Sequence, residues 1–193
     1  TSILKTDVPS WINEVEQVDG KTLGDPNAPV KVVEYMDIEC PYCQRYSRAI
    51  FPKLVREYVK TGKVHYVVKH FPLPERIHPN AMSGAIAAEC AANQDKFWAY
   101  KTLAIENREY QSDKTFLALA NTISMPDQQQ FVECFKKHRE AETVKSELQQ
   151  GTQRGVKGTP TVIVGDETIS GVRPFSRYRK AIETALESGS SSS

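Results

Sequence analysis

Apolar and polar positions alternate from Val30 to Ile38, so that Val30, Val32, Glu34, Met36 and Ile38 share one face and Lys31, Val33, Tyr35 and Asp37 the other. A period of two predicts a strand, and Glu34 sets a carboxylate among its apolar neighbours. From Cys40 to Lys60 the period lengthens, with Cys43, Tyr46, Ile50, Leu54 and Tyr58 recurring every three or four residues. This predicts a helix that Pro52 kinks and Gly62 stops. Val64 to Phe71, rich in β-branched and aromatic residues, predicts a second strand. The three pieces make a β-α-β unit of about forty residues, whose crossover favours parallel strands. Ahead of it, the segment to Asp25 mixes polar and apolar positions around Gly20 and Gly24, and Pro26-Asn27-Ala28-Pro29 marks the turn into the strand.

After Pro72 and Pro74 the character changes to alanine-rich and amphipathic stretches with no strand pattern between them. Helices are predicted near Ala81 to Ala92, Asp95 to Glu106, Asp113 to Asn121, Asp127 to Lys137 and Ala141 to Gly151, several with Asp at the opening position as an N-cap. Gly158-Thr159-Pro160 then leads into a strand over Thr161 to Val164. A turn at Gly165-Asp166, a short strand over Thr168 to Ser170 and a final amphipathic helix near Phe175 to Glu187 follow. The chain is therefore α/β, with residues 1–73 and 152–187 as two parts of one mixed unit and 74–151 as a helical insertion. Residues 188–193, Ser188-Gly189 and four serines, are low in complexity and are predicted to be a disordered tail.

In 193 residues, 39% hydrophobic and 25% charged, there is material for a sizeable core, and collagen-like, wholly disordered or membrane-embedded chains are excluded. Twenty-five Lys and Arg against twenty-four Asp and Glu leave +1. Such a balance offers no strong positive field, so nucleic acid is not an expected partner. The sequence as given opens at Thr1 with no basic segment followed by an apolar run, hence no signal peptide is expected in it. Compartment has to be inferred from chemistry.

The chemistry is concentrated in Cys40-Pro41-Tyr42-Cys43. Two residues three apart at the first turn of a helix lie on one side of it, so the sulfurs can cycle between dithiol and disulfide. Cys40 falls where unpaired N–H groups and the positive end of the helix dipole favour the thiolate that attacks disulfides. Pro41 suits a first turn because it has no N–H to leave unsatisfied. Cys43, one turn deeper, is the resolving thiol. A zinc half-site shares this spacing but needs two further ligands, while Cys90 and Cys134 are isolated and His65, His70, His78 and His138 are scattered. No metal is expected. Glu34, on the strand feeding the helix, is read either as a buried carboxyl that accepts or relays the Cys43 proton or as an edge or salt-bridged residue. Lys69, alternating with Val67 and Phe71, is its expected partner in the latter case.

Glu34-Tyr35-Met36-Asp37-Ile38-Glu39-Cys40-Pro41-Tyr42-Cys43, a helical insertion, and a late Gly158-Thr159-Pro160-Thr161 before two strands and a helix together resemble the DsbA-like branch of the thioredoxin superfamily. Thr22-Leu23-Gly24-Asp25, His70-Phe71-Pro72-Leu73-Pro74 and Gln94-Asp95-Lys96-Phe97-Trp98 add to the similarity, which spans nearly the whole chain. The resemblance implies a thioredoxin fold with an inserted helical domain and an extracytoplasmic, periplasmic thiol:disulfide oxidoreductase. Cys40 attacks and Cys43 resolves. A dithiol oxidase acting on reduced or unfolded proteins is the first expectation. A reductase or isomerase on the same fold, or a non-catalytic peptide-binding chaperone, are the alternatives. The resemblance further implies a cis Thr159–Pro160 bond, substrate contact through Pro41, Tyr42, Thr159 and Pro160, and a membrane-bound quinone-linked reoxidant. No cofactor is expected beyond the redox-active disulfide.

One departure concerns strength: strongly oxidising relatives carry Pro-His between the cysteines, and here Tyr42 supplies no imidazolium charge. Each unit of thiol pKa is worth about 1.4 kcal/mol, near 30 mV in a two-electron couple. With no dimerisation domain ahead of the first strand, a monomer is expected. Cys90 shares a helical face with Ile86 and Ala87, and Cys134 with Phe131, Phe135 and His138, so both point to the core of the insertion. They are read as a structural disulfide, as in similar family members, or as two buried free thiols.

Overall fold

The computed structural model describes residues 4–10, 12, 17–18 and 20–190. Its centre is the strand the alternation predicted, β3 (Val30–Met36), in a six-stranded sheet ordered β1-β2-β4-β3-β5-β6. The partners are β1 (Gln17–Val18), β2 (Thr22–Leu23), β4 (Val64–His70), β5 (Thr161–Val164) and β6 (Glu167–Ser170). β3 and β4 run parallel, from Val30 opposite Val64 to Met36 opposite His70, as the crossover required. β5 lies antiparallel on the other side of β3, with Val162 opposite Glu34. β3 ends two residues short of Ile38, because the carboxylate of Asp37 turns back to accept from Glu39 N–H at 2.7 Å and its carbonyl accepts from Cys40 N–H at 3.2 Å. The edge hairpin β1-β2 had no strand signal, being two residues per strand around Gly20, whose φ of +63° a turn demands.

The predicted long helix is three pieces: α1 (Pro41–Ala49), α2 (Phe51–Leu54) and a π-helical turn over Val55–Val59. The break comes at Ile50, where φ −109° leaves the helical range. Restarting there puts Pro52 in a first turn, where its missing N–H costs nothing. The insertion holds α3 (Ala81–Ala92), α4 (Phe97–Glu106), α5 (Asp113–Thr122), α6 (Gln128–Lys136) and α7 (Ala141–Gln153). Of the three predicted Asp caps only Asp127 acts as one, accepting from Gln130 N–H. Ser112 caps α5. Asp95 instead terminates α3, in a left-handed conformation (φ +57°), so α4 starts two residues later than its pattern suggested. α7 runs two residues beyond its predicted end, to Gln153, and a Cβ at Gly151 would lie 2.7 Å from the Phe71 ring and 2.9 Å from that of Tyr35.

One sheet face, carrying Val30, Val32, Met36, Tyr66 and Val68, is sealed with α1, α8 (Phe175–Ser190) and the insertion in the main core. The other face, with Val33, Tyr35 and Ile163, joins Phe71, Val156 and Leu148 of α7 in a smaller one. α8 continues through Ser190, so Ser188 to Ser190, assigned to the tail by composition, are helical. The rest of that tail, 191–193, lies outside the described residues. No described helix is long and apolar enough to cross a membrane.

Candidate active site

Cys40 is the N-cap residue of α1, with extended φ −73° and ψ 123°, and Pro41 opens the helix behind it. Both cysteines are present as thiols and both are buried. The Cys40 thiol donates to the Thr159 carbonyl at 3.3 Å, and the Thr159–Pro160 peptide that opens β5 is cis. Cys43 accepts from the Asp37 backbone N–H at 3.5 Å. Cys40 is drawn down from 9.0 to about 6, first by the hydrogen bond from the Cys43 thiol, which outweighs burial; Thr159 and the backbone N–H groups of Cys43 and Tyr42 add to it. Cys43 moves the opposite way, well above 9.0, because burial penalises its thiolate and Cys40 adds to the penalty. Ionisation is thus favoured at Cys40 and opposed at Cys43.

Glu34 is fully buried. Its Oε2 accepts from Tyr66 Oη at 2.8 Å and from Lys101 Nζ at 3.3 Å, and Tyr46 Oη lies 3.0 Å from Tyr66 Oη. The expected partner, Lys69, is elsewhere: it pairs across the sheet with Tyr35, not Glu34, and therefore points to the other face, where it donates to Gln150. Lys101 belongs to α4, and no pattern in the sequence links it to Glu34.

Asp37 was also missed. Its Oδ2 accepts from Leu73 N–H at 2.8 Å and pairs with His78 Nδ1 at 2.7 Å, which fixes the turn between β3 and α1. Next to Pro41, Tyr42 is 54% exposed, with the Arg45 guanidinium 5.5 Å from the centre of its ring. Cys90 and Cys134 are bonded and staple α3 to α6. Among the described residues, His70, Glu89 and Glu147 converge as metal-ligating groups do. The Lys21 ammonium bonds both carboxylates there and fills the place of a cation.

The thioredoxin family model matches residues 16–184 of this chain. The chain belongs to the thioredoxin family. A family relative, the probable disulfide bond formation protein D of Bacillus cereus, is 30% identical over 175 residues, covering 86% of this chain and 79% of that protein. The Na(+)/H(+) antiporter NhaA 3 of Salinispora tropica is 33% identical over 165 residues, 86% of this chain and 24% of that protein, so the chain spans about a quarter of that relative's length. The crystal structure of Wolbachia pipientis alpha-DsbA1 superposes with a TM-score of 0.74 at 21% identity, over 88% of this chain and 92% of that one. The fold is the DsbA-like one, with its helical insertion between β4 and β5.

Proposed function

We propose that this protein is a thiol:disulfide oxidoreductase, specifically a dithiol oxidase that donates a disulfide held between Cys40 and Cys43 to reduced or unfolded proteins. The observation that carries the reading is the contrast between the two sulfurs, one at the opening of α1 against Thr159 and readily ionised, the other deeper and held as a thiol. A substrate thiolate attacks Cys40 of the disulfide; the S–S bond breaks, and Cys43 leaves with the electron pair and takes up a proton. A second substrate thiolate then attacks the substrate sulfur of the mixed disulfide, and Cys40 leaves as the stabilised thiolate. Glu34 is the group that relays a proton to or from Cys43. Pro41, Tyr42, Thr159 and Pro160 flank the attacked sulfur and bind the substrate segment.

The name of the Bacillus cereus relative and the overall family membership support this reading. Each turnover leaves a dithiol, so an electron acceptor must restore the disulfide; a membrane-bound quinone-linked partner is the class we assign. The Cys90–Cys134 bond suits an oxidising, extracytoplasmic compartment, and the chain works as a monomer. The test is transfer to a reduced multi-cysteine protein. Oxidised protein should oxidise it stoichiometrically, and Cys40→Ser should abolish transfer. A Cys40–Cys43 pair that stays oxidised in strongly reducing glutathione buffer would instead indicate a reductase or isomerase.

A further inference from the structure

Asp37 touches both cysteines through its backbone. Its N–H donates to Cys43 Sγ at 3.5 Å, and its carbonyl accepts from Cys40 N–H at 3.2 Å. The side chain, 1% exposed, is fixed as well. Oδ1 accepts from Glu39 N–H at 2.7 Å, while Oδ2 accepts from Leu73 N–H at 2.8 Å and pairs with His78 Nδ1 at 2.7 Å. Leu73 and His78 belong to the connection between β4 and α3, so the residues that open the insertion grip the turn that leads into the cysteines. Burying a carboxylate is costly unless its oxygens are bonded, and these bonds offset that cost. What they fix is the direction of one backbone N–H, aimed at a sulfur that is itself fully buried. Burial penalises the Cys43 thiolate, and the Asp37 N–H acts in the opposite sense by favouring the charged form.

We propose that Asp37 and His78 are positioning residues for Cys43: their side-chain pair fixes the turn between β3 and α1 so that the Asp37 N–H stabilises negative charge on Cys43 Sγ during thiol exchange. When a substrate thiolate attacks Cys40 of the disulfide, the Cys40–Cys43 bond breaks. Cys43 leaves with the electron pair, and its charge faces this N–H. In the reverse step the Cys43 S–H bond breaks, its proton is relayed away through Glu34, and the sulfur attacks Cys40 of a mixed disulfide. The Cys43–Cys40 bond forms, and the other sulfur departs from Cys40 with the electron pair as a thiolate. Both directions pass through the same partly charged Cys43, so the N–H acts on the transition state they share. Because the donor is already in place, no rearrangement is needed as the charge appears. His78 acts through the Asp37 carboxylate. The inference rests on the oxidoreductase reading above.

The experiment mixes the reduced full chain with excess dithiobis-nitrobenzoate and follows release of the coloured thiolate. The first release reports attack by Cys40 and rises with reagent concentration; the second reports attack by Cys43 on the mixed disulfide and reaches a plateau rate. His78→Leu should slow the plateau rate about fivefold or more and leave the first release within about twofold of wild type. His78→Asn, which can return an N–H to the place of Nδ1, should restore the wild-type plateau. Asp37→Asn should slow it at least as much as His78→Leu, because an amide offers one acceptor oxygen where the donors around Asp37 use both. A plateau equal to wild type in His78→Leu or Asp37→Asn, a His78→Asn plateau as slow as that of His78→Leu, or equal slowing of both releases overturns the proposal. Should His78→Leu or Asp37→Asn not fold, the other decides; failure of both would make the pair a prop of the fold and likewise overturn it. A wild-type chain that never gives the second release would instead sink the oxidoreductase reading itself.

Discussion

Cys40 and Thr159, 119 positions apart in the chain, meet sulfur to carbonyl oxygen at 3.3 Å, and the Thr159 side chain adds to the lowering of Cys40. Thr159→Val keeps the backbone contact and the shape but removes the hydroxyl. We expect the ionisation of Cys40 to move up by about half a unit to one unit. The pH dependence of iodoacetamide alkylation reads this directly. An unchanged or lower midpoint would mean that the hydroxyl does not act on the sulfur.

The Cys90–Cys134 bond closes a loop of sequence separation 44. By loop-closure entropy such a link stabilises the fold by roughly 4 kcal/mol. Replacing both cysteines with alanine should lower the urea-unfolding free energy by an amount of that order and leave the ionisation of Cys40 where it was. Equal stability with and without the bond, in the same buffer, would contradict this.

How much of this was legible beforehand depended on the range of the interaction. The face assignment of β3, the helical start at Cys40 and the pointing of Cys90 and Cys134 toward a common core follow from local period, and the structure carries each of them. Lys101 lies 67 positions from Glu34 and reaches it only after α4 has packed on the sheet. No local pattern encodes that distance, and Lys69, nearer in the expected strand pair, was the wrong choice because register put it on the opposite face. The caps failed in the same way. Asp95 has the chemistry of an N-cap, but the chain needed a left-handed residue to leave α3, and Asp tolerates that conformation too. Asp37 carried no signal except its place just before the cysteines.

Acid should weaken the fold through Glu89. Burial pushes its carboxyl up from 4.5, but His70 and Lys21 outweigh burial and hold it below that value. A carboxyl whose pKa is depressed by folding contributes stability that is present above 4.5 and is lost as pH falls through the folded value. Glu89→Gln should therefore cost roughly 3 kcal/mol at neutral pH, as loss of one partner of a buried ion pair does, and the gap to wild type should close toward pH 3 or about there. Urea titrations at the two pH values check it; a gap that stays constant would refute the linkage.

The central claim is that Cys40 ionises far more easily than an ordinary cysteine. Absorbance at about 240 nm follows the thiolate of the reduced protein against pH, and Cys40→Ser identifies the transition. We predict a midpoint near 6, which leaves about nine in ten molecules as thiolate at neutral pH. A midpoint at or above that of a free cysteine, about 8.5, would contradict the account.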